Sequence, residues 1–293
     1  MAVQMLETFA SCPLCESDPS RVLFTHKKFG KFIKCSHCNL VYVRERPTPS
    51  WIKMRESEPY RSVPIPDVLI NRAIDLTPDF QSILKRLKQY QNHGKLLEVG
   101  SFTGHFLNLS KEAGYDVAGV EPDSISADFA HRTFGLNICR SIVQDSPFKD
   151  KTFDIIVMID VLEHLNEPVR GLLELHRLLR DAGVIVIEVP IIDTVFFNLL
   201  GKYHRHIIMD HILLFSQTAL YNILDKCGFY PIHSELYGRR VRLGRIAWNF
   251  RNQSESIGGF VEGLLKGLRI YDFSISVNLR DMVRVYCKKK QTT

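Results

Sequence analysis

From Lys95 to the C-terminus the chain alternates between two hydrophobic rhythms. Short apolar runs read as strands: KLLEV (95–99), YDVAGVE (115–121), LNICRSI (136–142), FDIIVMID (153–160), GVIVIEVP (183–190), GFYPIHSEL (228–236) and DMVRVYCK (281–288). Between them, stretches near 103–113, 124–134, 168–180 and 216–227 carry apolar residues at helical spacing. Strands that are apolar without polar alternation are covered on both faces. Their alternation with helices predicts an α/β fold, a mostly parallel seven-stranded sheet with helices on both sides. Right-handed crossovers then gather the loops that follow each parallel strand on one edge, where ligands bind.

The first ninety residues follow other rules. Residues 44–67 are rich in proline and charge and lack sustained periodicity, which predicts a linker. A helical pattern follows through Val68, Leu69, Ile74, Phe80, Ile83, Leu84 and Leu87, interrupted near TPD and stopped at NHG. Upstream stand two matched pairs, CPLC (Cys12, Cys15) and CSHC (Cys35, Cys38), with 19 residues between them. That spacing suits a closed tetrahedral zinc site, each pair aiming two thiolates at one ion and the interval folding as a hairpin. With four sulfur ligands no position stays open, so such a zinc is structural. A segment this short needs a staple of that kind to fold. His26 and His37 are surplus to the shell, and Cys139, Cys227 and Cys287 read as core residues. The expected organisation is a zinc-ribbon module over 1–43, a linker and helical segment over 44–93, and the sheet domain over 94–293. The latter carries insertions at 190–215 and 239–280.

Composition narrows the class. At 45% hydrophobic and 24% charged residues, the chain is an ordinary globular protein. It has no apolar run of membrane-spanning length, and MAVQMLETFASCPLC lacks the pattern of a signal peptide, which points to the cytoplasm. From Glu235 onward twelve Lys or Arg face five Asp or Glu, accounting for the whole net charge of +6. A basic tail suits an anionic partner, although a solvated face is the plainer explanation.

The chemistry starts at KLLEVGSFTGHF (95–106). Its glycine loop leaves the first strand of the sheet domain and opens a helix, and Glu121 ends the second strand, placed to accept both ribose hydroxyls of a nucleoside. A dinucleotide loop needs glycine where Phe102 stands, and no Gly-Lys-Ser/Thr is present, so a phosphate-free nucleoside fits better. S-adenosylmethionine is one, and Glu98 suits its ammonium. The segments LLEVGSFTG, GVEPD, FDIIVMIDVLEHLNEP and LLELHRLLRDAGVIVIEVP resemble class I S-adenosylmethionine-dependent methyltransferases over about residues 94–230, and more weakly near 281–288. With the cysteine pairs and DHILLFSQTALYNILDKCGF, the likeness extends to the branch with an N-terminal zinc-binding domain, often found in sugar, antibiotic and cell-surface pathways. The resemblance implies the Rossmann-like form of the fold. It implies Glu98, Gly100, Ser101, Phe102 and Gly104 on the methionine side, Glu121 on the ribose, Ile142 and Val143 about the adenine, and Asp160 near the sulfonium. For Asp160 a helix cap is the plain alternative. Two departures stand out: Ser101 and Phe102 alter the usual Gly-x-Gly-x-Gly, and Ile142 replaces the customary adenine-binding acid.

Methyl transfer to a hydroxyl or an acidic C–H also calls for a base, for which histidine is the usual choice. DVLEHL offers Glu163 and His164 at the ligand edge, and KYHRHIIMDHILLFS offers Tyr203, His204, His206, Asp210 and His211. The preferred order is His211, His164, His204, with Tyr203 beside them. A small-molecule acceptor, anionic and such as a nucleotide-linked sugar, glycolipid or natural-product precursor, fits the basic tail. RNA gripped through the aromatic and basic hairpin FTHKKFGKFIKC is a second reading, and an inactive scaffold of the same fold a third.

Overall fold

The computed structural model describes residues 6–9, 11–18, 20–27, 30–47, 67–208, 210–244, 247 and 255–290. In its N-terminal part, β1 (Leu6–Thr8), β2 (Ser20–His26), β3 (Gly30–Cys35), β4 (Val41–Val43) and β5 (Glu45–Pro47) form antiparallel pairs: β2 with β3, β3 with β4, β1 with β5. Two features go beyond the sequence reading. The stretch expected to be linker begins as a strand, since Glu45–Pro47 pairs with Leu6–Thr8; the remainder, 48–66, lies outside the described residues. The cysteine hairpin also does not complete its own sheet, for the fourth strand is Leu213–Leu214, which pairs with Val41 and Tyr42. An apolar strand pair has marginal stability alone and gains by sharing a sheet and core with the larger domain.

Helices α1 (Asp67–Asp75) and α2 (Thr77–Leu87) follow, divided where Pro78 opens the first turn of α2. Phe80, Ile83, Leu84 and Leu87 form one buried stripe, packed with Leu96, Phe106, Val157, Val186 and Tyr286. Then come β6 (Lys95–Val99), α3 (His105–Glu112), β7 (Asp116–Val120), α4 (Ser124–Phe134), β8 (Ile138–Cys139), β9 (Phe153–Ile159), α5 (Pro168–Leu178), β10 (Leu179–Pro190), α6 (Val195–Leu200), β11 (Leu213–Leu214), α7 (Gln217–Lys226), β12 (Phe229–Arg242), α8 (Glu255–Gly267) and β13 (Ser274–Lys289).

Seven strands make the central sheet in the order β12-β13-β10-β9-β6-β7-β8, with β13 antiparallel to both neighbours and β6 through β10 parallel. Four consecutive residues, Ile155 to Met158, are fully buried in β9, as a strand between two helical layers must be. The expected third strand shrinks to Ile138–Cys139, because this edge has a single partner and the chain turns into a short 3-10 helix at Val143–Asp145. The last two strands are longer than expected. Beyond Tyr237↔Met282, level with Pro190 at the end of β10, they continue as a two-stranded ribbon to Arg242↔Ser274. Both insertions thus leave from the C-terminal edge of the parallel strands. Among the described residues no helix is long and apolar enough to cross a membrane.

Candidate functional site

The loop after β6 is shaped by two glycines that no other residue could replace without movement. Gly100 has φ +71°, and an added Cβ would stand 2.4 Å from Val161 Cγ2; Gly104 has φ +77°, and its Cβ would meet Ala130 and Leu136 at 2.8 Å. Phe102, where a glycine is usual, takes φ +44° all the same. The loop is anchored rather than displaced: Gly100 N and Ser101 N donate to Val120 O at 2.8 and 3.1 Å, and Phe102 N donates to Glu121 Oε2 at 2.7 Å.

Glu121 Oε1 also accepts from Asp123 N at 2.9 Å, so this carboxylate splints the loop. Beside it, Glu98 is buried with Oε2 lacking a hydrogen-bond partner, as is Ser101 Oγ. Burial, with the Glu121 charge adding to it, lifts the Glu98 carboxyl well above the usual range. A buried acid left in that state is suited to a cationic ligand. Ile142 exposes an apolar surface to solvent, whereas Val143 belongs to the core. Asp160, closing β9 at φ +53°, caps no helix; its carboxylate accepts from Arg72 of α1 at 3.2 Å. Arg242 of the ribbon reaches Asp75 of the same helix at 2.7 Å, so α1 is tied to the ligand edge from two sides.

Along the same edge four imidazoles follow one another. Ring centroids lie 4.9 Å apart from His164 to His211, 5.9 Å from His211 to His206 and 5.2 Å from His206 to His204. One end rests on the fully buried Glu163, with His211 Nε2 3.9 Å from Glu163 Oε1. The other rests on Asp281, which opens the part of β13 paired to β10. Asp281 accepts from Nε and Nη2 of Arg205 at 2.7 Å each and has His206 Nε2 at 3.1 Å and His204 Nε2 at 3.6 Å. Burial works against the Asp281 charge, but hydrogen bonds from His206 and Arg205 hold its pKa well below the usual value. Burial and neighbouring rings depress His204 to about 4 and His211 to about 3, so both are neutral at pH 7. His164 Nδ1 sits 2.6 Å from Asp210 O. Tyr203 stands apart, exposed, with the Lys202 ammonium 5.3 Å from its ring. Sequence reasoning missed Asp281 and Arg205. A lone acid opening the apolar run DMVRVYC was the available signal.

The four cysteines form the second polar centre. Each pair closes identically: Glu16 N donates to Cys12 O at 2.8 Å and Asn39 N to Cys35 O at 3.1 Å, with Glu16 and Asn39 at φ +60° and +62°. Across the pairs, Cys12 and Cys38 sulfurs are 3.5 Å apart and Cys15 and Cys35 sulfurs 3.6 Å. Sulfurs at about 2.3 Å from one tetrahedral zinc would be about 3.8 Å apart, so the set fits that ion. Cys38 draws the Cys12 thiol down to about 5, while Cys38 itself is pushed up by the same proximity. By contrast, burial lifts Cys227 to about 11 and Cys287 to about 12, the values of inert core thiols.

A mostly parallel sheet with one reversed strand, a glycine loop after its first strand and an acid ending the second make up a Rossmann-like fold of the methyltransferase type. Residues 73–234 match the methyltransferase domain family, and the chain belongs to it. It is 30% identical over 144 residues to an uncharacterized protein of Methanocaldococcus jannaschii, covering 47% of this chain and 61% of that protein. It is 27% identical over 146 residues to a tRNA U34 carboxymethyltransferase of Saccharophagus degradans, covering 47% and 45%. The chain thus spans about half the length of such relatives. Among solved structures, a putative methyltransferase from Bacillus halodurans shares the fold with a TM-score of 0.55 at 14% identity, covering 73% of this chain and 100% of that one.

Proposed function

We propose that the protein transfers a methyl group from S-adenosylmethionine to a small anionic acceptor, such as a nucleotide-linked sugar, glycolipid or natural-product precursor. The observation that carries this reading is Glu98, buried near the end of its strand with one oxygen unpartnered, beside the second acid, Glu121, that closes the adjacent strand and anchors the glycine loop. Glu98, Gly100, Ser101, Phe102 and Gly104 would hold the methionine end, with Glu98 toward the ammonium. Glu121 would take the ribose hydroxyls, Ile142 and Val143 the adenine, and Asp160 the sulfonium side. When bound, the cofactor supplies an electrophilic methyl carbon. The protein contributes alignment and exclusion of water. The histidine wall, His211 and His164 foremost with His204 behind, would promote loss of the acceptor's proton. Tyr203, outside the wall, would contact the acceptor's remote end. Zinc on Cys12, Cys15, Cys35 and Cys38 would be structural.

S-adenosylhomocysteine should raise the melting temperature by mass action, while NAD should leave it unchanged. The absence of any shift with S-adenosylhomocysteine would overturn the cofactor assignment. The tRNA-modifying relative keeps an RNA acceptor as the second reading; RNA affinity that falls steeply with salt, against a weak salt effect on a small acceptor, separates the two.

A further inference from the structure

We propose that Glu163, His164 and His211 hold a divalent first-row cation, zinc foremost, on the acceptor side of the cleft. The proposal rests on assigning this edge to the acceptor. One ligand atom from each residue lies within 4.8 Å of the other two. His211 Nε2 and Glu163 Oε1, 3.9 Å apart, are too distant for a hydrogen bond. Ligands about 2.1 Å from one tetrahedral ion stand about 3.4 Å apart, so the 3.9 Å gap has to shorten by about 0.5 Å, and the widest gap of the group by more, as an ion binds. The second shell agrees. His164 Nδ1 is 2.6 Å from the carbonyl of Asp210, which fixes the tautomer and leaves Nε2 as the lone pair. His211 is buried, and because its Nδ1 has no hydrogen-bond partner its ring is oriented by packing against His164 and His206.

The neighbouring group of His204, His206 and Asp281 has comparable spacing but a different fate. Arg205 already occupies both Asp281 oxygens at 2.7 Å, so a positive charge stands where the ion would go. Two imidazoles with one carboxylate favour zinc or iron(II) over magnesium, and three protein ligands leave positions open. An acceptor hydroxyl bound there would lose its proton to solvent. Its oxygen would then form the bond to the methyl carbon as the carbon–sulfur bond breaks, with the electron pair going to sulfur.

Metal content decides the matter without any turnover. Protein grown with zinc and passed through a desalting column should carry two equivalents per chain, and the His164→Ala/His211→Ala double variant one. Glu163→Gln, which keeps the buried volume, should also drop to one, and binding of S-adenosylhomocysteine should persist in both variants. Cobalt(II) substitution should show a thiolate charge-transfer band unchanged by these variants, with a separate nitrogen–oxygen ligand-field band that disappears. A single equivalent in the wild type, or two in the variants, would overturn the site. Loss of S-adenosylhomocysteine binding in the wild type would instead strike the methyltransferase reading.

Discussion

The four cysteines and the Glu163–His164–His211 group are both gatherings of metal-type ligands, built in opposite ways. The cysteines come from two local knuckles of the same geometry, their sulfurs at 3.5 and 3.6 Å across the pairs. The second group draws on two segments 47 positions apart in the chain, spreads its ligand atoms over as much as 4.8 Å, and stands among other titratable rings. A site whose function is to hold a fold together is closed by short-range turns. A site that must admit a substrate is assembled by the fold itself and left open.

The comparison breaks most visibly at the cysteines. Structural zinc in small modules contributes about 10–16 kcal/mol. Cys35→Ser should therefore release zinc and unfold the N-terminal sheet, with proteolysis at the hairpin as the readout. Because β11 belongs to that sheet, turnover should fall with it while S-adenosylhomocysteine still binds. Retained zinc in this variant would show that the cluster is not what holds the module.

At the open site, His211→Ala should reduce turnover by about 10²–10⁴-fold, the range expected when the group handling the acceptor's proton is lost. Product affinity should not change. If His164, His204 and His211 can each be replaced with less than about a threefold loss, the wall has no chemical role and alignment alone must supply the rate.

A smaller effect belongs to the cofactor side. Glu121→Ala removes an acceptor for two hydroxyls at roughly 1.5–3 kcal/mol each, so S-adenosylhomocysteine affinity should fall at least about tenfold by calorimetry. Glu121→Gln, which keeps one acceptor oxygen, should lose less. Equal affinity in all three proteins would sink the ribose assignment.

The smallest effect concerns pH. Glu98 is raised above its ordinary 4.5, so the folded state holds a proton that the unfolded chain has released. Stability should then decline as pH rises from about 4.5 toward the raised value. Glu98→Gln should flatten that slope in apo protein. A wild-type curve already flat over that interval would mean the carboxyl is not protonated.

The central sheet was legible because β6, β9 and β10 are apolar without alternation, and the glycine loop with its neighbouring acid because Gly100, Gly104 and Glu121 occupy fixed offsets from strand ends. The cysteine set was legible from spacing alone. What escaped depends on distant partners. Leu213 and Leu214 look like any apolar pair until Val41 and Tyr42 are beside them. Asp281 looked like a strand-opening acid, and only folding brings Arg205, 76 positions away, onto both its oxygens. Phe102 seemed a defect in the loop, yet the backbone bond to Glu121 holds it in a glycine-like conformation.

Strand β11 has a consequence for how the chain is made. Its partners Tyr42 and Val41 leave the ribosome about 170 residues earlier. At about 5–20 residues per second, that is a wait of roughly 10–30 s. During it Val41–Val43, paired with β3 on one side, presents an open apolar edge on the other, the kind of edge that captures the wrong partner. On the zinc reading, an ion closing the cysteine knuckles as they emerge would hold β2, β3 and β4 in register until β11 arrives. Zinc present during translation, more than zinc added afterwards, would then set the yield of correctly folded protein.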